Sequence, residues 1–258
     1  TVMRSPNPFT LSTYAGPRFF CDRKKETAFV IEAIKNNRNL TLISYRRLGK
    51  SGLIKHVFHK LGNEKGMQLL YIDLMDTEDL SGFVQLLAKE IIGKADGQTL
   101  RFIKSFGKAI KSLRPLITVD PLTGHPVIEI SMQPDASPEI TLKEVFAYLQ
   151  KQRKKIVIAL DEFQQILGYP EKNTEAVLRK HIQQLTNTCF IYSGSRKHLL
   201  TSMFSDAGRP FFQSTDFLDL TTIENGEYSH FISSWFKKDG REIDREAVQS
   251  LLSLSRGH

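Results

Sequence analysis

The stretch Leu40-Thr41-Leu42-Ile43-Ser44-Tyr45-Arg46-Arg47-Leu48-Gly49-Lys50-Ser51 joins a short apolar run to a polar loop, and the loop to an amphipathic segment. The run is bounded by polar Asn37-Arg38-Asn39 and reads as a strand. Beyond the loop, Leu53, Ile54, Val57, Phe58 and Leu61 recur at helical spacing until Gly62 ends the pattern. Ser44 to Ser51 fits the phosphate loop G-x-x-x-x-G-K-[ST], with serine in place of the first glycine. Such a loop needs a glycine where backbone N–H groups must turn toward phosphate oxygens, a lysine to neutralise the terminal phosphates and a hydroxyl to complete a magnesium shell. Gly49, Lys50 and Ser51 fill those places, and the helix that follows aims its positive end at the same anion. Arg47, Leu48 and Gly52 complete the candidate phosphate-binding set. On its own Gly49-Lys50-Ser51 is an ordinary surface turn; the strand before it and the helix after it make it a candidate site.

Ile156-Val157-Ile158-Ala159-Leu160-Asp161-Glu162 supplies a second half. Five apolar residues in a row fit a strand buried on both faces, and its two acids fall at the carboxyl end, where open α/β sheets bind ligands. Asp161 is the candidate magnesium ligand and Glu162 the group that orients and activates water. Taken alone, Asp-Glu is also a common way to start a helix. A third strand, Cys189-Phe190-Ile191-Tyr192, runs into Ser193-Gly194-Ser195-Arg196, which is either a sensor of the terminal phosphate or a loop with one solvated arginine.

Further strands are expected at Gln68 to Leu74 and Phe217 to Leu220, and helices at Lys24 to Ile34, Gly82 to Ile92, Leu142 to Gln152 and Thr174 to Leu185. Alternating strands and helices predict a three-layer α/β domain, because parallel strands need crossovers that cover both faces of the sheet. The segment from Pro115 to Met132 breaks the alternation and reads as a hairpin inserted into the core and projecting from it. The first fifteen or so residues, with Pro6, Pro8, Gly16 and Pro17, read as an extended arm. The expected organisation is a core over 1–222 and, over 223–258, the start of a helical unit with Tyr228, Phe231, Ile232 and Trp235 on one face.

The chain has 258 residues, 40% apolar and 25% charged, which places it among globular sequences and away from disordered ones. The longest aliphatic run is too short to cross a bilayer, and the polar start from Thr1 to Pro6 does not resemble a signal peptide. Cys21 and Cys189 lack the spacing of a zinc or redox site. These features set the expectation of a cytoplasmic protein. A net charge of +8 favours a polyanionic partner. The only short basic clusters are Arg46-Arg47 and Arg153-Lys154-Lys155, and such runs are more often solvated than binding.

Phosphate loop, a strand ending in Asp-Glu and a polar strand end about thirty residues later resemble the AAA+ superfamily of P-loop ATPases. Phe19-Phe20-Cys21-Asp22-Arg23-Lys24-Lys25-Glu26, Tyr45 to Ser51, Asp161-Glu162-Phe163-Gln164 and Gly208-Arg209-Pro210-Phe211-Phe212 are similar to archaeal and bacterial STAND-type ATPases. The resemblance covers the chain from about Asn7 onward. It implies ATP or ADP with Mg2+ as ligands and a slow ATPase that acts as a nucleotide-controlled switch. The partner would be another protein or the chain's own C-terminal domains. A DNA-remodelling or loading ATPase is the alternative, and an oligomer is compatible with both.

The resemblance also places Asp22, Arg23 and Glu26 in an element lying against the adenine base. It makes Arg196 a sensor arginine, and Arg209 a phosphate-contacting or finger arginine facing its own site or the next subunit. Ser44 departs from the usual glycine. The tail from Glu224 resembles the start of a lid domain that relatives continue beyond Ser255-Arg256-Gly257-His258, so the sequence is expected to be a fragment of a longer protein.

Overall fold

The apolar runs form strands β1 (Leu40–Ile43), β2 (Met67–Asp73), β5 (Lys155–Asp161), β6 (Thr188–Gly194) and β7 (Asp216–Asp219); the hairpin supplies β3 (Leu113–Val119) and β4 (Pro126–Met132). The computed structural model describes residues 14–94, 100–119 and 126–255. The N-terminal arm over 1–13, the hairpin turn over 120–125 and the end of the chain over 256–258 lie outside the described residues. Five strands form one parallel sheet in the order β2-β5-β6-β1-β7. Register aligns Asp73 with Asp161 and Ile43 with Gly194 and Asp219, so the strands' carboxyl ends form one rim.

Helices cover both faces. On one side α1 (Lys24–Lys35) and α2 (Lys50–Leu61) bury Val30, Ile34, Leu53, Ile54 and Val57 against Val157, Ala159 and Ile191 of the sheet. On the other, α3 (Leu80–Gly93), α5 (Pro138–Gln150), α6 (Thr174–Ile182) and α7 (Lys197–Ser205) pack on Ile156, Ile158, Leu160, Phe190 and Tyr192. Alternate residues of β5 serve opposite layers, which is why that strand reads as an unbroken apolar run.

Several element boundaries differ from the sequence reading. Helix α3 begins at Leu80 because the Asp79 carboxylate accepts from the Gly82 N–H at 2.7 Å, an N-cap ahead of the apolar periodicity. Helix α5 begins at Pro138, whose fixed φ suits a first turn. Helix α6 ends at Ile182, three residues early. A helix not expected from sequence, α4 (Leu100–Ala109), precedes the hairpin, and Gly107 lets it approach closely: an added Cβ there would lie 3.3 Å from Pro115 Cγ.

The hairpin does not project as a free insertion. Leu113 and Ile130 belong to the larger core, and Ser112 donates from its N–H and hydroxyl to Glu144 of α5, at 3.1 and 2.6 Å. The tail forms two helices, α8 (Asn225–Lys238) and α9 (Arg245–Ser255), which share a small core of Ile232, Val248 and Leu252. Among the described residues no helix is long and apolar enough to cross a membrane.

Behind the acidic end of β5, the fully buried Phe211 ring stands 5.4 Å from those of Phe163 and Phe204 and 5.7 Å from Tyr192. Phe211→Ala would empty the centre of this aromatic cluster. Urea unfolding is expected to record a loss of about 3–5 kcal/mol.

Candidate functional site

The loop from Ser44 to Gly49 leaves β1 and turns into α2. Positive φ falls at Arg47 (64°) and Gly49 (85°), not at Ser44, so the position where serine replaces glycine makes no demand for the left-handed backbone. The Ser44 hydroxyl instead accepts a hydrogen bond from Lys50 Nζ at 3.1 Å, and the Tyr45 carbonyl accepts a second at 3.3 Å. Lys50 is buried, and burial pushes its pKa below the ordinary lysine value; the charges of Asp161 and Glu162 oppose that shift. Leu48 and Gly52 are buried beside it, whereas Arg47 is exposed.

Asp161 ends β5 almost wholly buried, at 3% exposure, with donors on both oxygens. Oδ2 accepts from Ser51 Oγ at 2.5 Å and from the Tyr71 hydroxyl; Oδ1 accepts from Ser193 Oγ at 2.6 Å and the Glu162 N–H at 3.1 Å. The Ser51 bond joins the loop and the acidic strand across 110 residues of sequence. It uses the hydroxyl proton and leaves the oxygen lone pairs for a cation, so this donor set fits Mg2+ held through Ser51 and through water on Asp161. Burial, and then the negative charge of Asp161, raise the Tyr71 phenol pKa, so it stays a donor.

Glu162 follows in the left-handed region, at φ 54°. Its Oε2 accepts from Gln164 Nε2 at 2.5 Å and from the Ser195 N–H and hydroxyl at 3.2 and 2.8 Å. Gly194 makes this possible, since a Cβ there would fall 1.9 Å from Gln164 Oε1. Asp73, at the end of β2 beside Asp161, adds another carboxylate to the rim; desolvation, and then the charges of Asp161 and Glu162, raise its pKa against the pull of the Met75 N–H.

The other sequence candidates are placed as follows. Asp22 and Arg23 both take left-handed φ, at 53° and 62°. Arg23 is buried and donates to the carbonyls of Leu48 at 3.2 Å and Thr221 at 2.6 Å, with Glu26 paired at 2.9 Å. Its guanidinium is thus committed to holding the loop. Arg196 caps α7 directly after β6, exposed, and its side chain has no hydrogen-bond or ion-pair partner among the described residues. Arg209 pairs with Glu175 of α6 at 3.2 Å, and no hydrogen bond or ion pair links it to Lys50, Ser51, Asp161 or Glu162.

The structure therefore brings Lys50, Ser51, Asp161 and Glu162 together, while the Arg209 guanidinium is engaged by Glu175. Tyr71 and Asp73 are site residues that sequence reasoning missed, though Asp73 carried a legible signal, an apolar strand ending in an acid as β5 does. Gln164, Ser193 and Ser195 lie in stretches that the sequence singled out, but their bonds to Asp161 and Glu162 were not foreseen.

A family described as an ATPase domain predominantly from Archaea matches residues 20–205. No curated protein sequence matches the chain. Among solved structures, a Walker-type ATPase of Pyrococcus abyssi is 16% identical with a TM-score of 0.66, covering 96% of this chain and 67% of that one. The ORC2 protein of Aeropyrum pernix, in its ADPNP-ADP complexes, is 16% identical with a TM-score of 0.55, covering 83% of this chain and 52% of its own. The ORC1 protein of the same organism, in complex with DNA, is 13% identical with a TM-score of 0.56, covering 86% and 51%. At these identities the likeness is one of fold, and the chain spans about half the length of the two ORC proteins.

Lys50 gives a test with a worked sign. Its folded pKa lies below its unfolded one, so between the two values the unfolded chain binds the extra proton and stability rises with pH. At neutral pH the burial penalty on the ammonium is present in full. Lys50→Ala removes that penalty together with the two weak hydrogen bonds. Ligand-free stability is expected to stay within about 1 kcal/mol of the parent, while the thermal shift produced by magnesium-ATP disappears. An undiminished shift would assign phosphate binding elsewhere.

Proposed function

Because the chain belongs to the family of ATPase domains found predominantly in Archaea, we propose that it binds magnesium-ATP on the 44–51 loop and hydrolyses it slowly, as a switch. The observation that carries this reading is the Ser51–Asp161 hydrogen bond, which fastens the end of the phosphate loop to the end of the acidic strand. In the free protein the Lys50 ammonium rests on Ser44 and Tyr45; terminal phosphate oxygens would take their place as charged acceptors. Ser51 and Asp161 would hold Mg2+, which neutralises the terminal phosphates when bound.

Glu162 orients the attacking water. All three of its donors fall on Oε2, so Oε1 is the oxygen left to accept from water. The water oxygen bonds to the terminal phosphorus as the bridging oxygen leaves with ADP, and the water's proton passes to Glu162. Arg196, exposed at the end of the neighbouring strand, is the in-chain arginine for the terminal phosphate. Arg209 serves that role only if its pairing with Glu175 is exchanged.

The contacts of the 17–23 segment support a switch over a simple hydrolase. Phe20 stacks on His56 of α2 at 4.1 Å, while Phe19 stacks on Trp235 of α8 at 5.2 Å. The helix that receives phosphate is thereby joined by stacked rings to the C-terminal helices, through which other domains or a protein partner would be addressed.

Two substitutions separate the roles. Glu162→Gln is expected to keep magnesium-ATP affinity while slowing single-turnover hydrolysis by about 10²–10⁴-fold; unchanged turnover would remove Glu162 from the mechanism. Asp161→Asn is expected to weaken nucleotide binding tenfold or more in Mg2+, with little effect in EDTA. Equal loss under both conditions would make the carboxylate a purely structural acceptor.

A further inference from the structure

An ionised carboxylate offers about four lone-pair sites, two on each oxygen. In Asp161 all of them are taken: Oδ2 accepts from the hydroxyls of Ser51 and Tyr71, and Oδ1 accepts from the Ser193 hydroxyl and the Glu162 N–H. A carboxylate filled in this way is stable in the interior, and it has no lone pair to offer a further donor. Magnesium held through Ser51 and through water on Asp161 asks for one more, because that water must donate a hydrogen bond to the carboxylate. One of the four donors therefore withdraws when the metal enters.

The fold decides which one. The Glu162 N–H belongs to the backbone that turns out of β5, and withdrawing it would unmake the turn. Ser193 is 0% exposed inside β6, and it serves Oδ1, the oxygen that Ser51 does not touch. Ser51 keeps its proton on Oδ2 while its own lone pairs face the cation, so it stays. Tyr71 remains. Its hydroxyl shares Oδ2 with Ser51, and its side chain is half-buried rather than enclosed. The ring is held independently of the hydroxyl: the Lys55 ammonium, one turn beyond Ser51 on α2, lies 4.9 Å from the ring centroid. That contact uses the ring face and is open to phenylalanine as well.

We propose that the Tyr71 hydroxyl is a latch on Asp161 that Mg2+ displaces: it occupies the place on Oδ2 that a water of the cation takes, so this one hydrogen bond sets how much Mg2+ the site needs before it holds ATP tightly. The proposal rests on the reading of 44–51 as an ATP-binding loop, and it adds a cost to metal entry that the free protein imposes.

The test is calorimetric titration of ATP into the full 258-residue chain, in EDTA and across a Mg2+ series. Tyr71→Phe removes the hydroxyl and keeps the ring. It is expected to lower the Mg2+ concentration at half-effect by about tenfold or more, the size of one hydrogen bond to a charged group, even though its ligand-free melting temperature falls. A donor that only supported the fold would act in the opposite direction, since a loosened site needs more metal. Ser193→Ala, which strips a donor from Oδ1, is expected to lower the melting temperature without lowering the Mg2+ requirement. The latch is overturned if the parent binds magnesium-ATP and Tyr71→Phe needs as much Mg2+ as the parent or more, or if Ser193→Ala lowers the requirement equally. A parent that binds no magnesium-ATP removes the loop reading itself, and the latch with it. Should Tyr71→Phe not fold, the parent decides alone: adding Mg2+ to the ATP-bound chain is expected to shift tyrosine absorption to shorter wavelength, as a phenol stops donating to a carboxylate, and an unshifted spectrum overturns the proposal.

Discussion

A carboxylate that is 3% exposed survives in a protein interior only if its lone pairs are met, and Asp161 is met from four directions. Ser51 reaches it from α2, Tyr71 from β2 and Ser193 from β6, and the Glu162 N–H comes from its own strand end. Each bond fixes a different neighbour relative to β5. The loop cannot shift without uncovering a buried negative charge, and β2 and β6 cannot slip by a residue without turning Tyr71 and Ser193 to the wrong face. Loss of one donor costs more than an ordinary hydrogen bond, because the charge left behind stays buried. The same atom group thus sets the register of the sheet and the position of the loop between β1 and α2.

The turn after Asp161 is shaped by a second requirement. Glu162 must leave the strand at once, and its left-handed φ is a conformation that non-glycine residues adopt at a cost. Three hydrogen bonds onto Oε2 hold it there. Gln164 can make its contribution only because residue 194 has no side chain. A glycine in an otherwise buried strand weakens the strand, so Gly194 is better explained by the Gln164 side chain it accommodates than by β6 itself.

How much was legible in the sequence follows from how local each signal is. Strands β1 and β5 announce themselves because parallel strands buried on both faces must be continuously apolar. The loop is visible because its glycine, lysine and serine act through adjacent backbone. The partners of Asp161 and Glu162 are not visible, since Tyr71, Ser193 and Ser195 are brought in by lateral strand pairing over separations of 90, 32 and 33 residues. Helix α4 escaped because it ends in Gly107-Lys108-Ala109, and that glycine is explained only by Pro115 of the hairpin packed against it. Helix α7 is nine residues long, and its apolar face amounts to Leu200, Met203 and Phe204, too short a pattern to stand out from the loop before it.

Arg23 extends the argument from the site to the whole chain. Two consecutive left-handed residues, Asp22 and Arg23, would cost about 1–3 kcal/mol each if nothing compensated them. Charge-assisted hydrogen bonds contribute roughly 1.5–3 kcal/mol apiece, and the Arg23 guanidinium makes three contacts, to Leu48, Thr221 and Glu26. The strain is therefore offset by the contacts that require it. Leu48 lies inside the phosphate loop, whereas Thr221 lies just beyond β7, where the chain turns toward α8. One buried side chain spans both, so a displacement of the Leu48 carbonyl must either break a charged hydrogen bond or move the segment that leads into the C-terminal helices. The stacked pair Phe19 and Trp235 gives the same helices a second, apolar attachment to the segment that carries Arg23. The loop and α8 are thus connected through one polar and one aromatic contact that share a backbone, and rearranging either strains the other.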